Sequence, residues 1–172
     1  MTKWTLDVFK DMYYYELNAK ESIHARVSVP LSALSIIVTL IVYYLSESKA
    51  LPPLSWSTIL LIIYYGLTIT IIGLVIYSSV MLYKIIYGNK YGQLPPPAQI
   101  QEYMNNLQKT NNTEEMNQKE FHSFLNDMYR DAAEENRKNN HIKIRYIRNA
   151  NLAIILALLL CITNSVPLYF IK

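Results

Sequence analysis

Charged residues are absent from three stretches of the chain, 27–46, 50–83 and 149–171, which hold 20, 34 and 23 residues. At about 1.5 Å per residue a helix needs roughly 20 mostly apolar residues to cross the hydrocarbon core of a bilayer, so the pattern predicts three spanning helices. Backbone polar groups in lipid must be satisfied within helices or closed barrels. These runs lack the alternation of a barrel strand, and the class predicted is all-α: a helical membrane protein.

Upstream of the first run, Thr5 is a suitable N-cap and Asp7 lies in the first turn. No glycine or proline then intervenes before Pro30. One long N-terminal helix running into the membrane is expected, with Pro30 kinking it or being absorbed. Pro52 and Pro53 break an outer turn, and a second helix capped by Ser55 or Ser57 should run to about Tyr83, long enough to tilt or protrude. Gly88, Gly92 and the triplet 95–97 of prolines mark a stiff break.

Beyond it, Ile100, Met104 and Leu107 keep the spacing of a short amphipathic helix, and Asn111–Asn112 mark a turn. Thr113 followed by Glu114 and Glu115 starts a further helix. Phe121, Phe124, Leu125 and Met128 form its apolar stripe, read as a cytoplasmic assembly surface buried against a second helix or another subunit. Asn139 and Asn140 are expected to interrupt this helix, and a last one runs from His141 into the third apolar run. That run has a core of only 11 residues, 152–162, before Thr163, Asn164, Ser165 and Pro167, which leaves a re-entrant helix as the alternative to a full span. The chain thus divides into an N-terminal helix (1–26), a transmembrane hairpin (27–92), a cytoplasmic helical hairpin (93–140) and a third transmembrane helix (141–172).

Charge orients this arrangement. Of 16 basic residues, four precede the first span and ten lie in 84–148, leaving only Lys49 and Lys172 for the other side. Retention of basic residues on the cytoplasmic side places the N-terminus and 84–148 inside and the C-terminus outside. The polar first 26 residues do not read as a cleavable signal peptide. Trp56 and the tyrosines near the span ends are interface anchors, while Trp4 and Tyr13–Tyr15 suit either the headgroup region or a protein contact.

Candidate chemistry is sparse. Ser28, Ser32, Ser35 and Thr39 place four hydroxyls in a line down the first span. In lipid such groups turn toward helices or water, or bond their own i−4 carbonyls, so the line is a candidate helix-packing or pore-lining face. Asn164, an amide within the third span, is a candidate for the same roles. Gly66, Thr70 and Gly73 give the second span a small-residue face suited to close helix packing.

No Asp, Glu, Lys or Arg lies within a span, which leaves a proton relay, a voltage sensor or a charged selectivity ring without support. The chain has one cysteine, Cys161, and scattered histidines, and no phosphate loop, nucleophile elbow or metalloprotease helix. No catalytic, cofactor or metal site is assigned, and no enzymatic activity is expected. The ten cations of 84–148 are interleaved with eight carboxylates, so no nucleic-acid partner is expected. The local cluster Lys143, Arg145, Arg148 suits anionic headgroups or topology control.

The stretch YYYELNAKESIHARVSVPLSALSIIVTLIVYYL at 13–45, followed by a proline-broken turn and a second long apolar helix, resembles the small two-transmembrane, SLATT-type effectors of bacterial anti-phage systems. The resemblance covers roughly 12–91 and is topological. It implies a multi-pass protein of the bacterial inner membrane that, once triggered, assembles as a homo-oligomer and opens a pore or otherwise permeabilises the bilayer in abortive infection. A cytoplasmic protein or a small-molecule signal would be the trigger. The competing readings are a non-conducting anchor for a cytoplasmic partner and a holin-like or toxin-like protein without a sensor.

Overall fold

The computed structural model describes residues 4–47, 57–88, 90–110 and 113–171. It is all-α, with α1 (Trp4–Ala25), α2 (Ser28–Glu47), α3 (Ser57–Tyr87), α4 (Pro97–Lys109) and α5 (Glu114–Ile171). Three helical segments, in α2, α3 and the C-terminal part of α5, are long and apolar enough to cross a membrane. The outer turn with Pro52, Pro53, Ser55 and Trp56, the side chains of Trp4, Thr5 and Ser57, and the turn at Asn111–Asn112 lie outside the described residues.

Two boundaries differ from the expected ones. The long N-terminal helix is interrupted at Arg26–Val27, so α1 and α2 are separate. The cause is Pro30, which has no N–H to give to residue 26 and whose ring crowds that carbonyl. Placed in the first turn of a new helix, the missing donor costs nothing. The break is closed locally, as the Val27 amide donates to the His24 carbonyl (3.1 Å) and Ser28 Oγ to that of Ala25 (2.9 Å).

The second difference is larger. Asn139 and Asn140 do not end a helix, and α5 runs unbroken for 58 residues. Asparagine is a modest helix former because its amide competes for nearby backbone groups, but here both amides are engaged by other segments, which removes that competition. The other starts follow the sequence. Glu114 and Glu115 occupy the first turn of α5, and α4 begins at Pro97 after an extended Pro96. The 31 residues of α3, about 46 Å long, exceed a hydrocarbon core of roughly 30 Å, and the helix ends before Gly88. A Cβ on Gly88 would lie 2.1 Å from the Lys84 carbonyl oxygen, which is why glycine follows the last turn.

The chain packs as two units, to both of which α5 contributes. The polar unit comprises 4–23 with 90–142, and the apolar unit 24–88 with 143–171. The N-terminal helix therefore belongs with α4 and the first half of α5. In the polar unit Tyr13, Ala132 and Ala133 form the core, flanked by Leu17, Leu94 and Tyr129. The Tyr13 and Tyr129 rings meet edge to face at 5.7 Å. In the apolar unit each helix buries one row. These are Pro30, Leu34, Ile37, Ile41 and Tyr44 on α2; Tyr64, Thr68, Ile71, Ser78, Leu82 and Ile85 on α3; and Ala150, Ile154, Ala157, Cys161 and Asn164 on α5. The spacing alternates between three and four residues, as knobs-into-holes packing requires. On α5 it extends in the same phase through Ala133, Asn136, Asn140 and Lys143, all buried.

Candidate functional site

The buried rows of the apolar unit converge on a closed polar circuit. Asn164 Nδ2 donates to Thr68 Oγ1 (3.0 Å), and Thr68 Oγ1 donates to the Tyr64 carbonyl (2.8 Å). Tyr64 Oη donates to the Tyr44 carbonyl (2.5 Å), and Tyr44 Oη to the carbonyl of Cys161 (2.6 Å), one turn before Asn164. Three helices are thereby tied at one level by groups that hydrocarbon would leave unsatisfied. Nearer the other end, Ser78 Oγ bonds its own Leu74 carbonyl at 2.8 Å and reaches that of Ala150 at 3.4 Å. Ala150, Ala153 and Ala157 lack the bulk to hold α5 away, which permits this approach.

One atom in the circuit has no counterpart. Asn164 is fully buried, and its Oδ1 has no hydrogen-bond partner. Replacing one partner of a buried pair leaves the other unsatisfied, whereas replacing both with apolar groups is nearly neutral. Thr68→Val should therefore cost about 1–2 kcal/mol, since it strands the Asn164 amide. Asn164→Leu should cost less, because Thr68 keeps its bond to Tyr64, and it should cancel most of the penalty when combined with Thr68→Val. A double-mutant cycle on unfolding of the purified protein measures this, and an Asn164→Leu penalty larger than that of Thr68→Val contradicts it.

The hydroxyl line lies on a different face. Ser28, Ser32, Ser35 and Thr39 are exposed, and each bonds a carbonyl of the preceding turn at 2.9–3.1 Å: those of Ala25, Ser28, Leu31 and Ser35. They are not brought together with Asn164, whose amide bonds Thr68. Gly66, Thr70 and Gly73 are likewise exposed. A Cβ at either glycine would meet nothing within 4 Å, and Thr70 bonds its own Gly66 carbonyl (2.8 Å). The intrachain seam of α3 is the row from Tyr64 to Ile85 instead. Tyr64 reaches the backbone of α2, and Tyr65 is exposed.

In the polar unit the asparagines of α5 hold the 90–92 segment. Gly92 donates its N–H to Asn136 Oδ1 (2.8 Å) and accepts Asn136 Nδ2 on its carbonyl (3.2 Å), so a side-chain amide replaces a neighbouring peptide. Glycine suits the close approach, as a Cβ there would lie 3.0 Å from Ala132 Cα and from Glu135 Oε2. Asn139 donates to the Lys90 carbonyl (2.6 Å). Asn140 accepts Tyr91 Oη (2.6 Å) and donates to the carbonyl and carboxylate of Glu16 on α1, both at 2.8 Å. Burial, reinforced by the Glu16 carboxylate, raises the Tyr91 pKa above the ordinary tyrosine value, and Lys20 covers the ring at 4.7 Å.

The apolar stripe of α5 is half-buried at Phe121, Phe124, Leu125 and Met128. Part of it is covered by α4, since Phe124 stacks on Tyr103 with centroids 3.9 Å apart. Phe121, Met104, Leu107 and Asn117 line an open cleft of about 400 Å³ between the two helices. Among the described residues, no three of His, Cys, Asp and Glu are grouped to hold a metal.

No family model, curated protein or solved structure matches this chain. The circuit and the asparagine clamp escape a reading of hydropathy because Tyr, Thr and Cys are ordinary inside apolar helices. The available signal was smallness at heptad spacing, Ala150, Ala157 and Cys161 leading to Asn164, together with the heptad-spaced polar positions Asn136, Asn140 and Lys143.

Proposed function

We propose that this chain is a membrane effector of a bacterial anti-phage system, which assembles copies of itself in the inner membrane and permeabilises it when triggered. The observation that carries this reading is the outward placement of Ser28, Ser32, Ser35 and Thr39. A single bundle offers no conducting path, because its interior is filled by side chains such as Ile37, Tyr64, Ile71 and Ala157, each fully buried. A ring of copies with α2 turned inward would line its lumen with the four hydroxyls. Ser32, Ser35 and Thr39 already bond their own helix and Ser28 the end of α1, and all four keep acceptor capacity for water.

The charge distribution supports a polar unit on the cytoplasmic side and a C-terminus outside. There the polar unit serves as the sensing and assembly surface, and α5, which enters both units without a break, carries its state to the spanning helices. The feature favouring a non-conducting anchor is the open cleft between α4 and α5, which has room for part of a partner or a small molecule.

Ser32→Leu with Ser35→Leu separates the two readings. The double variant should still insert and form a ring-like oligomer in detergent, but should lose dye entry and growth arrest on expression. An anchor would keep its partner and its phenotype. A wild-type chain that stays monomeric and never depolarises membranes rules out the pore.

A further inference from the structure

We infer that one end of the apolar unit is a binding surface for anionic phospholipid headgroups, built from Lys84 on α3 and Arg145 and Arg148 on α5. The level is fixed by contacts within that unit. Lys84 Nζ lies 5.7 Å from the centroid of the Tyr146 ring, which brings the cation of α3 alongside the basic turn of α5. His24 Nε2 lies 3.4 Å from Lys143 Nζ and brings the beginning of α2, with Arg26 beside it, to the same end. All five Lys and Arg described in this unit gather there. Its one described carboxylate, Glu47, closes the opposite end of α2, about 28 Å along the helix and beyond the reach of unscreened Coulomb attraction.

Lys84, Arg145, Arg148 and Arg26 are exposed and make no ion pair among the described residues, and Glu21, one turn upstream on α1, makes none either.

What identifies the missing anion is the surface directly beyond each cation. On α3, Val80 and Ile76 follow Lys84 at four-residue intervals and are exposed. On α5, Leu152, Ile155 and Leu159 continue the face of Arg148 and are exposed as well. Lys84 and Arg148 therefore each cap a row of open apolar side chains, the arrangement that seats an acyl chain below and a phosphate above. Tyr83 and Tyr87, exposed with ring centroids 5.0 Å apart, mark the same level as the headgroup boundary. Glu47, the one carboxylate described in this unit, lies at its far end, so the unit offers no partner here to the ammonium of a zwitterionic lipid, and the ligand class is the net-anionic phospholipid. This holds whether or not the chain conducts.

The test uses the full chain reconstituted in equimolar phosphatidylglycerol and phosphatidylcholine, re-extracted into mild detergent, with the retained lipids counted by native mass spectrometry. Wild type should retain phosphatidylglycerol preferentially, and the preference should shrink at 1 M salt, where charges are screened within about 3 Å. At about fivefold per cation, K84Q/R145Q/R148Q should lower the preference on the order of 100-fold, and R148Q alone about fivefold. K109Q, a cation of the polar unit, should leave it unchanged. Equal retention of the two lipids by wild type overturns the inference, as does a preference insensitive to salt. Displacement of the lipid by millimolar inorganic phosphate would mean a free-anion site and overturns it too. The wild-type salt series decides the matter even if the triple variant fails to insert.

Discussion

Replacing Asn136 with leucine should destabilise the polar unit by about 2–4 kcal/mol, because the half-buried Gly92 N–H and C=O both lose their partner. The Asn136 side chain is itself fully buried, and a leucine there has nothing to offer either group. Asn136→Asp separates the two halves of the clamp. It keeps an acceptor for the Gly92 N–H but has no donor for the carbonyl, and adds a charge in a buried place, so it should not restore wild-type stability. Hydrogen exchange at the Gly92 amide in the full-length protein reads the effect, and Asn136→Leu should accelerate it on the order of 100-fold. An unchanged rate would mean that the 90–92 segment is held by Tyr91 and Asn139 alone.

The second large effect concerns α5 as the link between the units. His141→Pro places a proline in the interior of that helix, removing an amide donor and crowding the carbonyl of Arg137, at a cost of about 3 kcal/mol or more in helix continuity. The apolar helices are untouched, so the variant should insert as wild type does. If α5 carries the state of the polar unit to the membrane, permeabilisation on expression should fall to background. His141→Ala, which keeps the helix, should behave as wild type. Full permeabilisation by His141→Pro would show that α5 transmits nothing.

Much of the architecture was legible because a bilayer imposes a coarse rule: length without charge. The three apolar helices, the helix beginning at Glu114 and the short one through Ile100, Met104 and Leu107 all follow from it or from ordinary amphipathic spacing. The faces of the apolar helices were not legible. Where lipid and protein interior are equally apolar, hydropathy has no period, and Ile69, open to the surroundings, looks no different from the buried Ile71. The helix boundaries have local causes. Pro30 ended a helix by what it does to residue 26, four positions back. Asn139 and Asn140 look like breakers until the Lys90 carbonyl and Glu16, which take up their amides, are brought beside them by the fold. The hydroxyl line could be found from spacing alone, but the side to which it turned could not.

The phase of α5 has one more consequence. From Ala150 to Asn164 its buried row in the apolar unit keeps a three-and-four count. One residue gained or lost between Ile154 and Ala157 would turn everything beyond it by about 100° and carry Ala157, Cys161 and Asn164 off the row that Ala150 begins, whereas seven would return them. Substitutions along the outer faces of this helix are unconstrained by that count, but insertions and deletions are not. The helix behaves like text with a reading frame, in which a change of length is tolerated only in whole heptads.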